Sequence, residues 1–468
     1  MISRWPVWLL FAAVTASPAL ATERNAWPFW VGQDDPSTGQ LVSQQFLGPI
    51  YSSQENPDGS AQQVLRPLWL HTTAGEKRTT QFLYPFFTWQ QIGRDSYFSF
   101  FQLVNESHEA TASGKTTQRF DVWPLYFSRV TPDPATTYHA FFPVAGTITE
   151  RFGKDRLTWY LFPLYFNTDK AGKQITSAPW PFLRVIRGAG HHGFEFWPLF
   201  GSRGRPDDYH DQFYLWPFGY KYESHLSAPQ PDVKLGVLPF YARDSGPGYL
   251  SETYAWPFFG YTHRTQPEQY DETRYFWPFL VQGRGDNRDV NRFAPIYTHS
   301  IIKGEDKTWW LWPLYRDIRW ADNGLAQEKT TLFYFLYWSL AQRSVAHPAA
   351  APAYKRHFWP LLSVWDNGAG QRQTQLLSPF EVFFPNNDPI RQLYTPLFAL
   401  YRYRQLAPGN TQHSILWSLI SWRHTPDEKE FHLGPLGWRR DADASRGHFF
   451  FFASASPSVT KAPAPSSP

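Results

Sequence analysis

The sequence predicts an all-β fold: an antiparallel up-and-down meander of about 20–22 strands, built from repeats of roughly 20 residues and closed into a barrel. Three observations predict it. First, an aromatic residue, proline, then Leu or Phe recurs along the chain. It stands as Trp27-Pro28-Phe29-Trp30, Trp123-Pro124-Leu125-Tyr126, Trp197-Pro198-Leu199-Phe200, Trp256-Pro257-Phe258-Phe259 and Trp312-Pro313-Leu314-Tyr315. Looser copies include Phe162-Pro163-Leu164-Tyr165, Leu238-Pro239-Phe240-Tyr241 and Thr395-Pro396-Leu397-Phe398. Second, a polar stretch separates successive copies. Arg187-Gly188-Ala189-Gly190, Gly204-Arg205-Pro206-Asp207-Asp208, Asp244-Ser245-Gly246-Pro247-Gly248 and Gly283-Arg284-Gly285-Asp286-Asn287 hold the residues that turns require. Third, the residues around each proline are aromatic and β-branched and lack helical spacing.

Taken in chain order, the first element is a signal peptide over residues 1–21. Arg4 is its charged region, Val7 to Val14 its short apolar stretch, and Ala19-Leu20-Ala21 its small-residue cleavage site. The repeat domain follows over 22–452. Its clearest prolines stand at 181, 198, 217, 239, 257, 278, 295 and 313. One polar turn per period implies one long strand per period, with the proline phrase at its centre. Tyr275 to Val281 and Trp159 to Phe166 are apolar on both alternating faces, which implies cover on both faces. Copies without proline are Tyr97 to Val104, Phe333 to Leu340 and Leu416 to Trp422. The last segment, 453–468, is an Ala/Ser/Pro tail read as disordered.

Composition narrows the function classes. The 468 residues carry 23 Trp, 25 Tyr and 40 Phe, too many bulky groups for a disordered chain despite 41 Pro. The formal net charge of +4 is spread singly among acidic residues, so no nucleic-acid footprint is present. Cysteine is absent, which excludes disulfides and thiol chemistry in an exported protein.

Closure into a barrel would remove the exposed edges of so large a sheet. The alternative is a soluble β-repeat body, solenoid or propeller-like, in which proline bends each period into two short strands. Through the signal peptide and the strand meander over about residues 22–452, the chain loosely resembles bacterial outer-membrane β-barrel proteins. It departs from them at its end, where the strand His448 to Phe452 is followed by a tail instead of closing the chain. The resemblance implies an exported, outer-membrane location with lipid as partner. A periplasmic or secreted location goes with the soluble alternative.

Candidate chemistry is sparse. Asp207, Asp208, His210 and Asp211 are the densest set of potential ligands, and read as a solvated turn. His191-His192 and Arg284-Gly285-Asp286 read as surface turns, and Asn105-Glu106-Ser107 as a glycosylation sequon by spelling only. No catalytic, cofactor-binding or metal residue is assigned. The repeated Trp and Tyr read first as core, and second as a stacking surface rimmed by Arg316, Asp317, Arg319, Tyr220, Lys221 and Tyr222. The expected function is a non-enzymatic envelope protein, an outer-membrane barrel with a structural or hydrophobic-molecule transport role. The alternatives are a soluble exported protein binding polysaccharide or protein through aromatics, and an exported glycan hydrolase.

Overall fold

The computed structural model describes residues 22–34, 40–56, 58–110, 114–384, 386–442 and 446–452. The signal-peptide and tail assignments, 1–21 and 453–468, lie outside them. The described chain is all-β, with 43 strands numbered in order from β1 (Thr22–Ala26) to β43 (His448–Phe451). Every resolved pairing joins consecutive strands antiparallel, as in Val122↔Tyr126 and Tyr160↔Tyr165. The meander expected from the sequence is therefore present.

Its strands are twice as many and half as long as expected. They run from four residues (Tyr138–Phe141) to eight (Leu325–Leu332). The reason is where the proline falls. It sits between strands, in a turn, and not at the centre of one. Trp123-Pro124-Leu125 links Thr116–Val122 to Tyr126–Val130, and Leu215-Trp216-Pro217-Phe218 links Tyr209–Tyr214 to Gly219–Ser224. Proline lacks an N–H and fixes φ, so it fits a turn position better than a ladder position. Each period of about 20 residues is thus a hairpin with one apolar and one polar turn.

Among the described residues, an α-helical insertion interrupts the repeat. Between β37 (Arg372–Leu376) and β38 (Tyr401–Ala407) the chain forms a helix, Asp388–Leu393, and a short 3₁₀ turn, Thr395–Phe398. The Thr395-Pro396-Leu397-Phe398 copy belongs to this insertion and is no hairpin turn. The Asn387 side chain caps the helix through the Ile390 N–H, and a proline sits in its first turn.

The chain divides into two compact units: residues 1–84 with 349–468, and residues 85–348. In the first, Val64 and Leu70 pack on Leu393 of the inserted helix, with Tyr84 and Tyr394 against them. The Asn25 N–H donates to the Phe452 carbonyl at 2.9 Å and Trp30 stacks on Phe452 at 5.7 Å, so first and last strands adjoin. No ladder joins β1 to β43, so hydrogen bonds do not close the sheet. The second unit has its core around Phe127, Tyr138, Ile148, Leu157 and Trp159.

Aromatic rings also cover glycines on neighbouring strands. A Cβ on Gly283 would stand 2.2 Å from Tyr270 Oη. Tyr270 is buried, donates to Glu272 at 2.6 Å and lies under the Arg288 guanidinium. Gly283→Ala must displace this anchored ring and is expected to cost about 1–3 kcal/mol. Amide hydrogen exchange over Tyr270–Phe276 and Leu280–Gly285 checks it, as faster exchange in the variant.

Candidate functional site

In an up-and-down meander all turns of one kind fall at one end of the strands. The second unit therefore carries its apolar turns along one rim. Thirteen of them lie between Asp95–Phe100 and Tyr337–Ser344. A residue at or near the start of each turn named below donates its backbone N–H to the last or next-to-last residue of the preceding turn. Trp123 donates to Leu103, Phe142 to Leu125, Leu161 to Val144 and Trp180 to Pro163, each at 2.6–2.7 Å. The series continues through Leu215→Leu199, Leu238→Phe218, Ala255→Phe240, Trp277→Phe258 and Leu311→Ile296, at 2.6–2.7 Å.

This ladder explains the proline. In Trp123-Pro124-Leu125, Trp123 N–H goes to the neighbouring turn and Leu125 N–H to Val122 of its own hairpin, at 2.7 Å each. The residue between them has no N–H to satisfy. In Leu215-Trp216-Pro217-Phe218 the three N–H groups donate to Leu199, Pro198 and Leu215. In these two turns every backbone N–H has an acceptor.

The side chains on this rim are apolar and open. Trp123, Leu125, Leu161, Leu164, Trp216, Phe218, Trp256, Trp277, Ile296 and Trp312 are all exposed, Phe240 the most at 73%. The expectation that these residues are covered on both faces is overturned: they are hairpin tips, not strand centres. Rings touch along the rim, Phe142 to Phe162 at 5.1 Å, Phe162 to Trp180 at 5.2 Å and Trp197 to Trp216 at 5.9 Å. One residue further in lies a tier of aromatics in cross-strand pairs, such as Tyr160–Tyr165, Tyr241–Tyr254 and Tyr297–Trp310. Glu252 accepts hydrogen bonds from Tyr241, Tyr254 and Tyr261 at 2.7–2.8 Å, and these bonds hold its carboxyl below its ordinary value.

Beyond that tier the strand bodies are polar. Leu325–Leu332 reads Leu-Ala-Gln-Glu-Lys-Thr-Thr-Leu, and Val104–Ala110 reads Val-Asn-Glu-Ser-His-Glu-Ala. No helix among the described residues is long and apolar enough to cross a membrane.

A cleft of about 490 Å³ lies in the second unit. Glu106, Glu109, Asp121 and Glu150 line it. Arg151 binds Asp121 through two hydrogen bonds, at 2.8 and 2.5 Å, Arg129 pairs with Glu150 at 2.8 Å, and Arg119 with Glu109 at 3.5 Å.

The residues marked in the sequence are placed as follows. Asp208 pairs with Arg205 and Asp211 with Arg203, while His210 meets Ser202. His191 contacts the Tyr209 hydroxyl at 3.0 Å, and burial together with the nearby Lys173 and Arg205 charges lowers its pKa. Arg284 bonds Gly283, Val290 and Asn291, and Asp286 accepts from the Gln269 N–H. Asn105 is held by Tyr97, Ser99 and Gln102. Tyr220 stacks on Tyr222 at 5.0 Å, beside the Lys221–Glu223 pair. Arg316 lies over Trp309, and Arg319 pairs with Asp317 and Glu328. No group of three or more metal-ligating side chains converges among the described residues.

No family model matches the chain, and no curated protein matches it in sequence.

Proposed function

We propose that this is a non-enzymatic cell-envelope protein that seats on a lipid surface by its rim of aromatic-proline turns, in a structural or hydrophobic-molecule-handling role at the outer membrane. The observation carrying the reading is the rim itself: contiguous Trp, Phe, Leu and Ile tips whose turns hydrogen-bond one to the next through the backbone. Apolar patches of this extent mark interaction surfaces, and a hydrocarbon surface tolerates only backbone whose polar groups are satisfied. The Tyr and Trp tier behind the tips suits the lipid–water interface.

Immersion of the rim fits better than a transmembrane span. Strands of about six residues extend roughly 20 Å, and their bodies are polar. A tilted spanning strand needs about 9–11 residues with an apolar outward face. The alternative of a polysaccharide-binding protein draws on the same exposed Trp row. It is less favoured because the tips offer Leu, Phe and Ile beside Trp and few side-chain hydrogen-bond partners, which sugars require.

Flotation of the purified chain with liposomes of neutral lipid tests the reading. Co-flotation that persists in high salt supports it, since apolar insertion is not screened. Retention of the protein in the dense fraction, with binding to envelope glycan instead, overturns it.

A further inference from the structure

The first unit holds a second concavity, a polar cavity of about 170 Å³. The strands Trp30–Asp34 to Ala61–Leu65 wall one side. Tyr401–Ala407, Asn410–Ile415 and the turns at Pro396 and Trp417 wall the other. Three guanidinium groups reach it: Arg66, Arg402 and Arg404. The remaining polar lining is glutamine and serine, and no Asp or Glu is present. Such a lining offers many donors and no counter-charge.

The arginines are set for this. Arg66 is buried and fixed flat by two carbonyls, Nε to Gln392 and Nη1 to Pro49, at 2.8 Å each. Arg402 gives Nη2 to Gln375 Oε1 at 3.1 Å, and its buried Nε has no hydrogen-bond partner. The Arg404 side chain makes no hydrogen bond or ion pair with the described residues. Burial pushes the Arg402 guanidinium down to about 9, with the like charges of Arg404 and Arg66 adding to it. Burial also lowers Arg66, to about 10, and Arg404. Withdrawing charge from water without a counter-charge is costly, and elsewhere in this unit the buried Arg439 and half-buried Arg423 have carboxylate partners.

We infer that this cavity is a binding site for a multiply charged oxyanion of the phosphate class. A single carboxylate would leave most of the cationic charge uncompensated, whereas a phosphate group can take hydrogen bonds from three guanidinium forks and neighbouring amides and hydroxyls at once. The volume suits one such group with a few waters, at roughly 30 Å³ for each water. The group has two possible sources, the headgroup of a phosphorylated lipid and free phosphate. The site does not depend on the rim.

Thermal unfolding of the full chain tests it, with inorganic phosphate against chloride at equal ionic strength. Phosphate is expected to raise the midpoint and chloride is not. Arg404→Gln should remove most of the phosphate response while melting higher than wild type without phosphate, because it relieves repulsion. Arg402→Gln should behave alike, so the test stands if one variant fails to fold. Soluble short-chain phosphatidic acid identifies the source. Binding at least tenfold tighter than inorganic phosphate, and competing with it, assigns a lipid headgroup; equal or weaker binding assigns the free ion. A phosphate response absent in wild type, or unchanged in both variants, overturns the site.

Discussion

Replacing Trp216, Trp256 and Trp277 together by Glu is expected to abolish association with neutral liposomes while leaving the β-sheet signal in circular dichroism unchanged. The three rings are 41–45% exposed on the rim, so their loss removes little internal packing. Covering the open half of each ring with lipid is worth about 1 kcal/mol. A carboxylate in its place opposes immersion by about 2–3 kcal/mol more. Three sites together amount to on the order of 10 kcal/mol, and each 1.4 kcal/mol is tenfold in partitioning. Flotation should fall from complete to undetectable. Trp→Leu at the same sites keeps the apolar area and should retain flotation. A glycan-stacking rim would instead lose binding with Leu as well as with Glu.

The second large effect concerns the seam where the first and last strands meet. Arg423 donates to Glu428 and, at 2.8 Å, to Glu430, and Arg439 reaches Glu428 at 2.7 Å. His432 contacts Glu430 at 3.0 Å, and Ser421 and Asn25 both donate to Glu23. All of these groups are buried or nearly so. Arg423→Met leaves two buried carboxylates with fewer cations and is expected to cost about 3–5 kcal/mol. The lowered unfolding midpoint measures it, and adding Glu430→Gln to the variant should recover part of the loss.

The same seam gives a pH dependence. Burial opposes charging of His432, but the Glu430 carboxylate and the Glu23 charge outweigh it, and its pKa is raised above the ordinary 6.5. A raised folded pKa means the unfolded state releases its proton first. The contribution is therefore complete below about pH 6.5 and is lost as pH rises through the folded value. Melting midpoints should fall across this alkaline limb, and His432→Gln should flatten it.

Much of the fold was legible because the repeat is written in residue types with narrow backbone uses. Trp-Pro-Leu and the Gly/Asp-rich stretches fix where the chain reverses. What misled was reading Tyr275 to Val281 as one strand: local apolarity is the same at a buried strand centre and at an exposed hairpin tip. The missing proline N–H was the signal that separates them, since a central strand cannot spare the donor and a turn can. The inserted helix carried a readable start in Asn387-Asp388-Pro389, obscured by the nearby Thr395-Pro396-Leu397-Phe398 copy. The arginine cavity was not readable, because Arg66 and Arg402 lie over 300 residues apart and only tertiary packing joins them. The carboxylates of Glu106, Asp121 and Glu150 likewise share a cleft that spacing alone does not predict.

The most direct test of the central claim is depth of immersion. The chain has no cysteine, so one label can be placed at will. A fluorophore on Leu215→Cys, in an apolar turn, and another on Ala189→Cys, in a polar turn at the other end of the strands, would be read against lipids carrying quenchers at set depths. Strong quenching at position 215 by acyl-chain quenchers, with none at position 189, is the predicted result. Equal quenching at both positions, or none at 215 in vesicle-bound protein, would contradict seating by the rim.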